Sequence, residues 1–149
     1  MSKTRCSIIV ALFALTVTST PAFAKITTFT ALLTSGQAET NINTTTGSGI
    51  AFFTYDKDTD TLTYSITFSG LSSAETVSHI HGPGLPGVAA GVVVGLPLGN
   101  PKNGSVTMFS TLLAGDAVKN LKKGLLYVNI HTTNNPIGEI RGQILPSSK

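Results

Sequence analysis

Residues 127–144 read YVNIHTTNNPIGEIRGQI, and their pattern is the most informative about the fold. Polar and apolar residues alternate on both sides of a turn, which is the pattern of two antiparallel strands joined in a hairpin. If His131 stands opposite Glu139, the register also pairs Asn129 with Arg141. It gives three further pairs: Tyr127 with Gln143, Ile130 with Ile140, and Leu126 with Ile144. One face of the hairpin is therefore predicted to join a core, and the other to gather polar side chains.

Outside this hairpin, runs rich in Val, Ile, Thr, Phe and Tyr alternate with clusters of Gly, Pro, Asn and Asp, which is typical of strands and turns. The predicted strands cover residues 27–33, 49–55, 62–68, 78–81, 92–96, 105–112, 125–131 and 139–144. A short helix is predicted over residues 116–122, with Gly124 just past its end. The fold expected is all-β: an antiparallel, Greek-key-like sandwich or barrel with one short helix before the C-terminal hairpin.

The N-terminus has the features of an export signal. Lys3 and Arg5 precede an apolar run over residues 8–17, and Ala22-Phe23-Ala24 supplies the small-residue pattern of a cleavage site. The run is too short for a membrane span, which needs about 20 residues. We therefore expect residues 1–24 to be a cleaved signal peptide, residues 25–146 one domain and residues 147–149 a tail, in a secreted or periplasmic protein without membrane attachment.

The charge and the cysteine content reduce the number of functions that fit the sequence. Without Lys3 and Arg5 the chain has eight basic side chains against seven acidic ones, so nucleic-acid binding loses its support. The one cysteine, Cys6, lies in the predicted signal, so the mature domain is expected to have no disulfide. No serine-hydrolase motif of the Gly-x-Ser-x-Gly type occurs, and no catalytic residue is predicted.

All three histidines of the chain are predicted to lie at strand ends. His79 and His81 are two residues apart on one strand and therefore point to the same side. Together with His131 and the carboxylate of Glu139, they would make a site for zinc or copper(II), which both accept nitrogen and oxygen ligands. The alternative is that these histidines only form hydrogen bonds with their neighbours on a polar face.

Arg141 has two interpretations: a structural pair with a carboxylate, or a partner that orients Glu139 beside a metal. Asn129 and Tyr127 are expected to complete the same polar network. Residues 84–95 are rich in small residues, which indicates either a mobile flap or edge strand, or a rim for a binding partner.

Several ordered motifs together resemble the CHRD domain. They are FTALL at residues 29–33 with GQAE at 36–39, GSGIAFF at 47–53, LTYSI at 62–66, HIHGP at 79–83, LLYVNIHT at 125–132 and PIGEIRGQI at 136–144. The family takes its name from chordin, an extracellular antagonist of bone morphogenetic proteins, and also occurs in exported microbial proteins. The resemblance implies a fold and an extracytoplasmic location more than an activity.

The strand carrying His79 and His81 also resembles the copper-ligand strand of copper-zinc superoxide dismutases. That resemblance implies at most a copper-type pair, His79 and His81, with His131 as third ligand. The predicted mature chain lacks the aspartate-rich zinc loop with its further histidines, and it lacks a cysteine for that family's disulfide.

Three functions follow as hypotheses. The first is an exported binding module that holds copper or zinc, or an extracellular protein partner, at the histidine end of the domain. The second is a structural envelope or matrix domain without metal. The third is a small copper oxidoreductase, and it is the least favoured, since the sequence favours binding over catalysis.

Overall fold

The computed structural model describes residues 25–38, 45–99 and 104–147. The predicted signal peptide lies outside these residues. The strands are β1 (Ile26–Thr34), β2 (Ser48–Asp56), β3 (Thr61–Ser69), β4 (Glu75–His81), β5 (Val92–Leu96), β6 (Gly104–Leu112), β7 (Tyr127–Thr132), β8 (Ile140–Gln143) and β9 (Leu145–Pro146). The helix α1 covers Asp116–Lys122, and Gly124 follows it with the left-handed φ of +68° that glycine adopts readily.

These strands form one antiparallel, curled sheet in the order β5-β4-β7-β8-β1-β2-β3-β6, with β9 also paired to β1. The all-β fold class and the short helix before the C-terminal hairpin are confirmed. The last strand differs from its prediction because it splits into β8 and β9 after Gln143.

The core lies on the inner face of the curled sheet. Along β3, for example, Leu62, Tyr64, Ile66 and Phe68 are buried, and the residues between them are more exposed. Because strand side chains alternate, one apolar face of each of β1, β2, β3, β4, β7 and β8 meets Leu121 of α1 inside. The other strands contribute chiefly Phe29, Ala31, Leu33, Ala51, Phe53, Tyr55, Ile80, Val128, Ile130 and Ile140.

The register of the final hairpin is the one that the alternation predicts. Tyr127 pairs with Gln143, Asn129 with Arg141, and Ile130 with Ile140. However, every residue of β7 and of β8 is buried, including those on the polar face. The outer side of this hairpin is therefore covered, and the cover comes from another part of the chain.

That cover is the connection between β4 and β5, residues 82–91, which we call the covering loop. Arg141 on β8 donates hydrogen bonds to two of its carbonyl oxygens, that of Val88 at 2.9 Å and that of Leu85 at 2.7 Å. The Gly84 N–H donates to the carbonyl of Leu125 at 2.9 Å. The stretch predicted as a flap or edge strand thus divides into this loop and the edge strand β5.

A side chain completes the seam between β1 and β8, whose direct pairing is limited to Thr34 with Arg141. The Gln37 amide donates to the Leu32 carbonyl at 3.0 Å and accepts from the Gln143 N–H at 3.1 Å. The Gln37 side chain therefore bridges backbone groups of β1 and β8 that are not paired directly with each other. The strands also approach closely here, since a Cβ on Gly142 would lie 2.5 Å from the Leu32 oxygen.

We expect Gln37→Ala to lower the free energy of unfolding by about 1 kcal/mol, because the partly buried Gln143 N–H and the exposed Leu32 carbonyl lose their partner. Urea unfolding followed by circular dichroism measures this change. Ser35→Ala, in the same turn, is the control and should unfold like the wild type. A Gln37→Ala variant as stable as the control would show that backbone contacts alone hold the seam.

Candidate metal centre

Three histidines meet on the outer face of the sheet, next to the covering loop. On β4, His79 pairs with Asn129 and His81 pairs with Tyr127, while His131 on β7 pairs with Val77. Paired residues on neighbouring strands share a face, so all three imidazoles project from the same side. Their ring centroids are 5.2, 5.3 and 5.8 Å apart. One ring nitrogen from each histidine lies within 4.8 Å of the other two.

Backbone carbonyls determine which ring nitrogen carries the hydrogen in the neutral form of two of these histidines. The Nδ1 of His81 lies 2.9 Å from the Ala90 carbonyl, and the Nδ1 of His131 lies 3.0 Å from the Pro136 carbonyl. A carbonyl oxygen only accepts, so each Nδ1 must carry the hydrogen. In the neutral ring the lone pair is then on Nε2. This arrangement, with the far nitrogen held by a carbonyl, is usual for metal-binding histidines.

His79 is the most exposed of the three, yet its Nδ1 is buried and has no hydrogen-bond partner among the described residues. Desolvation lowers its pKa below the ordinary value, and the neighbouring His131 and His81 lower it further. The ring therefore stays neutral to a lower pH than a free histidine, and the neutral ring is the form that binds metals.

The spacing of the rings fits one metal ion after a small contraction. An ion equidistant from three nitrogens 4.8 Å apart would lie about 2.8 Å from each, against roughly 2.0–2.1 Å in a zinc–imidazole bond. Each ring therefore has to close by less than about 1 Å. The His81 Nε2 is buried without a hydrogen-bond partner in the described structure, so an ion would satisfy a nitrogen that is otherwise costly to bury.

Glu139, which the sequence places with the histidines, is not part of this cluster. Its carboxylate is fully buried and accepts hydrogen bonds from hydroxyl, amide and backbone groups. The donors are the hydroxyls of Thr45, Ser72 and Thr132, the Ser72 N–H at 2.6 Å and the Asn135 amide at 3.2 Å. The candidate ligand set is therefore three histidines and not three histidines with a carboxylate.

The side chain of Glu139 leaves the histidine face because the ladder ends before it. The last pair of the hairpin is Ile130 with Ile140, and beyond it the strand alternation no longer fixes direction. The preceding Gly138 has a φ of +124°, and a Cβ there would lie 2.2 Å from the Asn129 side chain. The backbone therefore bends at a residue that has to be glycine.

Desolvation would raise the pKa of Glu139, but its hydrogen bonds outweigh that effect and lower the pKa from 4.5 to about 2. The hydroxyls of Thr132 and Thr45 make the largest contributions to this lowering, followed by the N–H and hydroxyl of Ser72. The carboxylate is thus a buried anion that joins the loop before β4 to the hairpin turn.

Three further side chains of the predicted network lie beside the cluster. The Tyr127 ring stacks on His81 at 5.2 Å between centroids, and the Arg141 guanidinium carbon lies 3.3 Å from the centre of the Tyr127 ring. The Tyr127 hydroxyl accepts from the Ala90 N–H at 3.0 Å. Asn129 donates to the Ile137 carbonyl at 3.2 Å. Arg141 thus secures the covering loop, and it does not orient Glu139 toward the histidines.

The groups that sequence reasoning missed are mainly backbone carbonyls. Ala90 and Pro136 orient two histidines through their oxygens, and no residue pattern marks a carbonyl for that role. Ser72 lies far from Glu139 in sequence, so its contact depends on the closed fold.

The fold and this cluster define an antiparallel β-domain with three histidines on its outer face. The family model of the CHRD domain matches residues 29–144, and the chain belongs to this family. No curated protein and no solved structure matches the chain significantly. Within the described residues, no helix has the length and apolar character needed to cross a membrane.

Glu139→Gln tests the buried anion. The folded pKa of Glu139 is depressed, so its stabilising effect is complete above about pH 4.5 and disappears as pH falls toward 2. Near pH 6 we expect the variant to be about 1–3 kcal/mol less stable, because the amide cannot accept from every donor. The difference from the wild type should shrink as the pH is lowered.

Urea unfolding over this pH range measures both stabilities. Asp58→Asn, which removes a carboxylate from an exposed turn, is the control. A stability difference between Glu139→Gln and the wild type that did not change with pH would contradict the depressed pKa.

Proposed function

We propose that this CHRD-domain chain is an exported module that binds one transition-metal ion, zinc or copper, through His79, His81 and His131. The observation that carries the proposal is the pair of carbonyl contacts to His81 and His131. Each contact holds the hydrogen on Nδ1 and leaves the Nε2 lone pair available, and one ring nitrogen of each histidine lies within 4.8 Å of the other two.

The chemistry of the donors favours zinc or copper. Imidazole nitrogen suits both ions, whereas calcium and magnesium prefer oxygen ligands. The cluster contains no thiolate or thioether that would select a softer ion. Burial of the His79 Nδ1 and the His81 Nε2 without partners would cost about 1–3 kcal/mol each, and a bound ion would offset this cost.

The binding test is direct because the chain has only these three histidines. We expect the protein, purified without a histidine tag, to bind zinc or copper(II) with one-to-one stoichiometry in calorimetry. His81→Ala and His131→Ala should each weaken binding at least about tenfold, which corresponds to about 1.4 kcal/mol.

Glu139→Gln is the matched comparison. If only the three histidines bind the metal, this variant should have the metal affinity of the wild type. If Glu139 is also a ligand, its metal affinity should fall. Absence of stoichiometric binding by the intact protein would refute the metal site and leave a structural envelope or matrix domain as the function.

Export is part of this proposal and is supported by Lys3, Arg5, the apolar run over residues 8–17 and Ala22-Phe23-Ala24. We expect the full chain, expressed in a bacterial host, to leave the cytoplasm and to begin at Lys25. Fractionation and intact-mass measurement check both points. Replacement of Ala24 by a bulky residue should block processing, and a wild-type product that keeps residues 1–24 would contradict a cleaved signal.

A further inference from the structure

We propose that the metal site keeps one coordination position open toward β5, and that a small monodentate anion occupies it as the fourth ligand. This inference rests on the proposed metal binding and adds a second ligand class to the same site. It depends on three observations: the number of protein donors, their charge, and a bare stretch of the sheet beside His79.

The cluster supplies only three donors. Among the described residues, no cysteine, aspartate or glutamate joins the three histidines. Glu139 is the nearest acidic residue to His131 in sequence, but hydrogen bonds from Thr132, Ser72 and Asn135 occupy its carboxylate. Zinc takes four ligands in most protein sites, and a site with three protein ligands completes the set with a molecule from solution.

The charge of the site favours an anion in that position. Three neutral imidazoles leave the full charge of a divalent ion uncompensated. The buried guanidinium of Arg141 adds a positive charge nearby, since it lies 3.3 Å from the centre of the Tyr127 ring, and that ring stacks on His81. An anionic ligand would therefore bind more strongly than a neutral one of the same size.

The anion would reach the open coordination position through the space beside His79. Gly95 on β5 pairs directly with His79 and faces the same side of the sheet, but it has no side chain. A Cβ placed on Gly95 would meet no described atom within 4 Å. The other neighbours of the rings are larger: Tyr127 stacks on His81, and Asn129 lies opposite His79 on β7. Gly95 is exposed, so this bare stretch opens to solvent.

Gly95 therefore determines access to the fourth position. Its φ is not among the positive values of the chain, so an L residue fits the strand backbone there. Gly95→Leu would place a bulky side chain over the opening without changing a metal ligand. Gly95→Ala would add one methyl group to open space and serves as the matched control.

The experiment uses cobalt(II) as a spectroscopic substitute for zinc and azide as the anion. Calorimetry first establishes that the wild type and both variants bind cobalt. The visible ligand-field bands of the cobalt proteins are then followed as azide is added. We expect a saturable, single-site change in the wild type and in Gly95→Ala. In Gly95→Leu, azide affinity should fall at least about tenfold while cobalt affinity is retained.

Each outcome has a distinct meaning. Cobalt binding with bands that do not respond to azide would overturn the open position and leave the proposed metal binding intact. An equal azide response in Gly95→Leu would overturn the role of Gly95 as the way in, and loss of cobalt binding by that variant would show that the space is not open. Absence of cobalt, zinc and copper(II) binding by the wild type would overturn both proposals.

Discussion

The buried guanidinium of Arg141 organises the outer side of this domain. A charged group away from water is costly unless its hydrogen-bonding capacity is used, and Arg141 donates to the carbonyls of Leu85 and Val88. Those bonds hold the covering loop against the hairpin. The loop in turn brings the Ala90 carbonyl to His81. The orientation of one imidazole therefore depends, through the loop backbone, on an arginine that is not a member of the histidine cluster.

Two oppositely charged residues of the same short hairpin segment interact with different parts of the molecule. Glu139 and Arg141 are two residues apart, but the carboxylate interacts with hydroxyl and amide donors, and the guanidinium with carbonyl oxygens and an aromatic ring. Gly138 and the end of the ladder at Ile140 separate their directions. Each charge ties a distant segment to the hairpin, so the C-terminal strands are the centre to which the preceding loops attach.

Alternation along the strands was sufficient to predict most of the fold. It placed the strands and the register of the last hairpin, and it put His79 and His81 on one face, because periodicity of two is a local property of extended chain. Alternation does not predict the direction of Glu139. The β7–β8 ladder includes Ile140 but not Glu139, and Gly138 bends the backbone on the other side of Glu139. The roles of the Ala90 carbonyl and of Gln37 as a substitute for paired backbone depend on tertiary contacts, and residue types do not encode these in any short pattern.

The carbonyl contact at Ala90 also has an evolutionary consequence. A histidine of the cluster can change only at the cost of losing an imidazole nitrogen, whereas the oxygen that orients His81 belongs to the backbone of a solvent-exposed loop. Substitutions at positions such as Pro86 or Gly87 alter the path of that loop without touching a histidine. If the cluster binds a metal as proposed, related domains can diverge in metal affinity while keeping an identical set of imidazoles, and a comparison of the histidines alone would overlook the difference.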